Sequence, residues 1–293
     1  MTLNYRKYHG CLNEFICVDL RDTSHDIAPY VPGLCQKKTW PPKHLPDKNY
    51  IGADGLVAVH HSDIADFKMQ IINADGSIPE MCGNGLRCFV AFLHHQHLTQ
   101  HTSLRIETGA GVLGVTVHNI TPTSASISVG MGQAKTKAQL PNADFLLECQ
   151  TMDAIPIGQY NVVPVSMGNP HAVIYTSNIN GIDINTVGPL IQNAESPSGK
   201  RWFPNGINVE FLEHIPGTQR LYMRVFERGV GETMACGTGA CAAVVAGMLH
   251  GHCQPSETVF LKGGELTIDV NPTNYAVTMQ GPAQFMGEGR IEL

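Results

Sequence analysis

The sequence predicts an α+β or barrel-like chain built from two related halves. Three observations lead there. Many short segments alternate apolar and polar residues or are rich in β-branched side chains, which is the signature of strands. Only two segments carry a firm helical pattern. Both of these open on the tetrapeptide Cys-Gly-x-Gly, at 82–85 and again at 236–239, about half a chain apart. Few buried helices among many strands give an α+β layer arrangement, and a motif recurring at the same loop-to-helix position gives two related domains.

The clear strands are Ser103–Thr108, Gly111–His118, Ala125–Val129, Asn161–Val165, Ala172–Tyr175, Asn208–Leu212, Arg220–Phe226, Glu265–Val270 and Tyr275–Gln280. The spacing of Leu86, Phe89, Val90, Leu93 and His97 predicts a helix over Asn84–His97. The Thr238–His250 segment is apolar on nearly every face, which predicts a fully buried helix. Pro41–Pro46, within a weakly patterned stretch from Asp22 to Tyr50, and Glu195–Gly206 read as long loops of the kind that border sites.

A chain of 293 residues suits about two domains. Apolar residues make up 43% and charged residues 15%, so a core is affordable and disorder is excluded. The formal net charge is −6. An acidic chain without a basic stripe is a poor partner for nucleic acid or an anionic membrane. The longest apolar run, Ala235–Leu249, is shorter than the roughly 18 residues of a membrane span. Asp19 interrupts the apolar stretch Phe15–Leu20, so no secretory leader is expected. Nine cysteines are an odd number, and no CxxC pair is present. A full disulfide set is impossible and a zinc site is not expected. The expectation is a cytoplasmic protein whose thiols are mostly small buried hydrophobes.

Two of those thiols stand out. A helix N-terminus offers unpaired N–H groups and a partial positive charge. It cradles carboxylates and lowers a thiol pKa. Glycines beside Cys82 and Cys236 let a ligand approach the backbone. Two such starts facing one another would hold one carboxylate between them. One thiolate would remove the α-proton while the opposite thiol returned a proton to the other face. Converging N–H donors would stabilise the growing charge, and the two thiols would titrate as a coupled pair. No cofactor and no metal are needed, and His94, His95 and His97 read as a polar helix face.

The motifs resemble those of the diaminopimelate epimerase family. They are Asn73-Ala-Asp-Gly-Ser77, Met81-Cys-Gly-Asn-Gly-Leu-Arg-Cys88, Met167-Gly-Asn-Pro-His171, Glu227-Arg-Gly-Val-Gly-Glu-Thr233 and Ala235-Cys-Gly-Thr-Gly-Ala-Cys-Ala242. His9–Phe15 and Gly52–Gly55 match more weakly. The resemblance implies two pseudo-symmetric mixed α/β domains, each a curved sheet around a central helix, with the active site in the interdomain cleft. It implies a first half of residues 1–130 plus 282–293 carrying Cys82, a second half of residues 131–281 carrying Cys236, a hinge near Gly130 and a homodimer. It implies cofactor-independent interconversion of LL- and meso-diaminopimelate, in the pathway to lysine and peptidoglycan precursors.

The resemblance makes Cys82 and Cys236 the acid/base pair, and the amides of Gly83, Asn84, Gly237 and Thr238 the cradle of the reacting carboxylate. Asn13 and Asn169 would orient that end of the substrate. Asn73, Asn208 and Arg228 would recognise the distal carboxylate, and Glu227 the distal ammonium. His171 and Glu227 would tune the thiols. Taken alone, His171 reads as structural, Arg228 as a solvated charge, and Asn73 and Asn208 as turn or strand-edge residues. Cys88 and Cys241 read as packing residues. Cys11-Leu12 stands where the family usually has Leu-Gly, which bears on the turn presenting Asn13.

Three rivals explain less. A racemase of another amino acid on the same scaffold leaves the distal set without a purpose. A thiol hydrolase using Cys82, His171 and Asn208 gives Cys236 no task. A dinucleotide-binding oxidoreductase, from the GxGxxA of Gly237–Ala242 with Glu257 downstream, leaves the first Cys-Gly-Asn-Gly unexplained. If the two sulfurs approach closely without substrate, oxidation is expected to join Cys82 to Cys236 and stop activity reversibly.

Overall fold

The computed structural model describes residues 2–23, 26–36, 51–135, 154–215, 217–218 and 220–292. The Pro41–Pro46 loop and Cys149 lie outside them. The chain divides into two compact units, Met1–Val129 with Gln280–Leu293, and Gly130–Met279.

The first unit contains β1 (Thr2–Gly10), β2 (Asn13–Asp19), α1 (Val31–Cys35), β3 (Gly55–His60), β4 (Phe67–Asn73), α2 (Gly83–His95), β5 (Ser103–Thr108), β6 (Gly111–Ile120), most of β7 (Ser124–Gln133) and the later part of β16 (Ala276–Glu292). Its strands pair in sequence order from β1 to β7, then β7 neighbours β16 and β16 pairs back to β1. The sheet thereby closes on itself as a barrel, which leaves no free edge. The β2–β3 and β4–β5 pairs are parallel and the other pairs whose direction is resolved are antiparallel. A parallel pair needs a crossover, and α1 and α2 lie in the two crossovers. Residues Gly83 to Leu93 of α2 are all buried, against β1 to β4. Burying Leu86, Phe89 and Leu93 there stabilises the unit by roughly 1.5–3 kcal/mol each.

The second unit contains β8 (Ile155–Ile157), β9 (Tyr160–Ser166), β10 (Pro170–Tyr175), α3 (Ile184–Gln192), β11 (Asn208–His214), β12 (Arg220–Glu227), β13 (Gly231–Thr233), α4 (Gly237–Leu249), β14 (Ser256–Leu261) and β15 (Gly264–Val270), with the start of β16. The strand order is β8-β9-β10-β11-β12-β14-β15-β16, and β13 pairs β12 alone. Here β10–β11 and β12–β14 are the parallel pairs, with α3 and α4 in their crossovers. The first unit's succession of hairpin, crossover, hairpin, crossover, hairpin is thus repeated. α4 is buried from Gly239 to Gly247, packed on β9, β10, β11, β14 and β15.

Both expected helices and all nine expected strands are present, shifted by a residue or a few at their ends. The last strand departs furthest, running on from Gln280 to Glu292. Two helices lie in stretches without a helical signature. α1 falls within the weakly patterned Asp22–Tyr50 stretch, where Val31, Leu34 and Cys35 pack on Ile16, Val18 and Ile72. α3 contains Gly188 and Pro189, which argue against a helix by propensity. Packing overrides propensity here, because a side chain at Gly188 would come within 2.4 Å of Phe226. Among the described residues no helix is long and apolar enough to cross a membrane.

Candidate active site

In the first unit, Cys82 is the N-cap of α2, with extended backbone, and its Sγ accepts the Gly85 N–H at 3.4 Å. The Cys82 thiol lies 3.9 Å from Asn13 Oδ1, which also accepts from Asn84 Nδ2 at 3.3 Å. The Asn13 amide is oriented from behind. Its Nδ2 donates to Asp54 Oδ2 at 3.1 Å, and the same oxygen takes the Glu14 N–H at 2.8 Å. Asn84 is held by Arg87, whose Nη2 donates to Asn84 Oδ1 at 2.8 Å. Arg87 is fully buried, and its Nε donates to the Pro282 carbonyl at 3.0 Å.

Asn13 follows the two-residue turn joining β1 to β2, where Gly10 pairs with Asn13. Cys11 and Leu12 have φ of 54° and 62°. This pattern, both central residues left-handed, is the hairpin turn that normally selects Asn-Gly. The turn therefore forms without the glycine that this conformation favours, at the cost of a strained Leu12. Leu12 is 45% exposed, so its side chain buries little. Leu12→Gly is expected to raise stability by about 1 kcal/mol, measured by urea unfolding.

Asn73 is the last residue of β4, at the entry to the turn that follows. Its Nδ2 donates to Ser77 Oγ at 2.9 Å and its N–H to the Ser77 carbonyl at 2.8 Å. These bonds go to its own turn and not to the Cys82 group.

In the second unit, Cys236 caps α4 as Cys82 caps α2, with Sγ accepting the Gly239 N–H at 3.4 Å. Thr238 Oγ1 lies 3.6 Å from that sulfur and accepts from Asn169 Nδ2 at 3.2 Å. Asn169 Oδ1 faces His171 Nε2 at 3.1 Å. His171 Nδ1 lies 2.7 Å from Glu210 Oε1, and both residues are fully buried. Glu227 accepts a short hydrogen bond from Thr233 Oγ1. Burial, then the Glu210 charge, pushes the Glu227 carboxyl up, against Thr233 and His171. A lowered thiol pKa does not hold at Cys236. Burial and the charges of Glu227 and Glu210 push this thiol well up, while Thr238 and the Gly239 N–H pull the other way.

Asn208 and Arg228 form a separate pair. The Arg228 N–H donates to Asn208 Oδ1 at 2.9 Å, and Arg228 Nη1 donates to the Asn205 carbonyl at 2.9 Å. Burial pushes the Cys17 and Cys88 thiols up, as expected of core residues, and Cys241 is fully buried.

The strand registers align the two units residue by residue. Phe15 pairs with Gly55 across β2–β3, and His171 with Asn208 across β10–β11. By that register Asn13 corresponds to Asn169, Phe15 to His171 and Val57 to Glu210. The sequence reading missed Asp54, Arg87 and Glu210. The signal for the last two was a charge inside a segment otherwise fit for burial. Among the described residues, His171, Glu210 and Cys236 are the group able to hold a metal ion, with donor atoms within 4.8 Å of one another. Two of these donors are already engaged with each other.

A family model described as diaminopimelate epimerase matches residues 5–137 and 163–286. The chain is similar to the diaminopimelate epimerase of Leptospira biflexa, with 37% identity over 304 residues and all of both chains covered. That of Methanococcus maripaludis is 38% identical over 301 residues, covering 99% of this chain and 100% of the relative. Among solved structures, a phenazine biosynthesis protein of the PhzF family from Bacillus anthracis superimposes with TM-score 0.69 at 16% identity, covering 100% of both chains. A hydroxyproline epimerase from Agrobacterium vitis superimposes with TM-score 0.65 at 15% identity, covering 99% of this chain and 91% of the other. These two share the fold.

Proposed function

Because this chain belongs to the diaminopimelate epimerase family, we propose that it interconverts LL- and meso-diaminopimelate through the thiols of Cys82 and Cys236, without a cofactor. The observation that carries this reading is the duplicated cap: two cysteines, each N-capping a buried helix, each sulfur 3.4 Å from the N–H three residues on. By helix geometry the first N–H groups of each helix have no partner within it. Those of Gly83 and Asn84, and of Gly237 and Thr238, receive the carboxylate of the reacting centre.

The chemistry requires both sulfurs at one α-carbon, on opposite faces. The Cα–H bond breaks, its proton passes to one thiolate and its electron pair spreads into the carboxylate. The N–H donors strengthen as that charge grows. The other thiol then gives its proton to the opposite face, so a turnover inverts the centre and exchanges the protonation states of the sulfurs. The raised pKa of Cys236 suits the donor role in one direction, and the carboxylates around it make it a strong base once ionised.

Asn13 and Asn169 orient the reacting end. Asn73, Asn208 and Arg228 recognise the distal carboxylate, Arg suiting a planar anion, and Glu227 takes the distal ammonium. His171 and Glu227 tune the thiols. The halves 1–130 plus 282–293 and 131–281 each supply one thiol. The assembly is a homodimer in the cytoplasm, acting in lysine and peptidoglycan precursor synthesis.

Incubation with LL-diaminopimelate in heavy water, with no cofactor added, tests the reading. Deuterium is expected at one α-carbon together with meso product. Neither exchange nor inversion by folded protein would overturn the substrate assignment.

A further inference from the structure

The geometry points to Glu210 as a positioning residue for the Cys236 half-reaction: through His171 and Asn169 it turns the Thr238 hydroxyl onto the Cys236 sulfur. This rests on the function proposed above. Glu210 lies on β11 among Val209 and Phe211, which join the core on the α3 side. Its neighbours on the α4 side are His171 and the start of that helix. The approach is close enough that a Cβ on Gly239 would lie 2.7 Å from Glu210 Oε1 and 3.2 Å from the Cys236 sulfur. Glu210 Oε2 is buried with no hydrogen-bond partner among the described residues. Burying a carboxylate so incompletely satisfied is costly to folding, and core packing alone gives no return for it.

The contacts form one line with a direction. His171 Nδ1 and Glu210 Oε1 share a hydrogen bond at 2.7 Å, which fixes the ring. Asn169 gives its Nδ2 to Thr238, so its Oδ1 accepts from His171 Nε2. The Thr238 oxygen is then already an acceptor, and its own hydrogen is free to turn to Cys236 Sγ at 3.6 Å. A thiolate there meets a hydroxyl donor, which offsets the upward push of burial and of the two carboxylates.

The first unit shows the contrast. The positions of His171 and Glu210 are held by Phe15 and Val57, and a different carboxylate, Asp54, grips Asn13 by its Nδ2. Asn13 consequently presents an acceptor toward Cys82 where Asn169 presents a donor toward Thr238. The same backbone carries opposite hydrogen-bond polarity, and Glu210 sets it in the second unit.

The test combines kinetics with spectroscopy on the full chain. Glu210→Gln is expected to lower kcat about 10- to 100-fold with KM within about twofold. Thr238→Val is expected to lose a similar factor, and Thr238→Ser, which restores the hydroxyl, is expected to recover most of that loss. The Glu210→Gln/Thr238→Val double variant is expected to fall little below the worse single, because both cut one line. Losses that multiply, or a Glu210→Gln enzyme within about twofold of wild-type kcat, would overturn the role. The 15N signals of the His171 ring give a readout independent of turnover. His171 Nε2 should show a hydrogen donated to Asn169 in the wild type, and the Nε2 signal should move in Glu210→Gln; an unmoved signal would overturn the role. Should the wild type fail to epimerise diaminopimelate, the functional reading fails, and the ring signals still decide whether Glu210 sets the line. If Glu210→Gln does not fold, the Val and Ser variants of Thr238 decide it: equal kcat would refute a hydroxyl directed at sulfur.

Discussion

Cys82→Ala and Cys236→Ala are each expected to lower epimerisation by at least about 10³-fold while leaving the fold intact. Under the proposed mechanism each variant removes the group that moves a proton on one face. The remaining thiol removes a proton and returns it to the same face, so slow deuterium exchange without inversion is expected in heavy water. Cys236 is 7% exposed and caps a helix, so Ala costs about 1 kcal/mol of stability, which a thermal melt separates from lost chemistry. A thiol hydrolase would survive the loss of Cys236. Substantial inversion by either variant would sink the two-thiol mechanism.

The second large effect is on stability. Arg87 is fully buried in α2 and donates to Asn84 Oδ1, to the Gly83 carbonyl at 3.5 Å and to the Pro282 carbonyl. Arg87→Met preserves most of the volume and none of the donors. It strands buried acceptors, each costing about 1–3 kcal/mol. A total loss of about 3–5 kcal/mol lowers the melting temperature by about 10 °C in a chain of this size. Because Asn84 leans on Arg87 and Asn13 on Asn84, activity is expected to fall in the folded fraction as well. A melting temperature within about 2 °C of wild type would contradict this account.

The sequence reading recovered what local chemistry writes plainly. A cysteine followed by Gly-x-Gly before an apolar helical run announces a capped helix start, and the second copy announces the repeat. Asn13 and Asn84 do meet at Cys82, and Asn169 meets Thr238 at Cys236. Long-range pairing was less legible. Nothing local announced that β16 runs on past Gln280 to pair with β1. Glu210 escaped notice because a strand such as Asn208–Leu212 reads as core, and one charge within it looks like a tolerated exception. Only the parallel register of β10 with β11 places it beside His171. Asp54 was hidden in the same way, since its partner Asn13 lies 41 positions away.

The mismatch of Phe15 and Val57 with His171 and Glu210 has a consequence for turnover. Under the two-thiol mechanism the unliganded enzyme exists as two isomers that differ only in which sulfur stores the shared hydrogen. In identical halves they would be equally populated. Here they are not, so the form left behind when one epimer departs is the scarcer of the two for one direction of reaction. Relaxation between them then becomes a distinct kinetic event, visible as a lag that depends on which stereoisomer is supplied first.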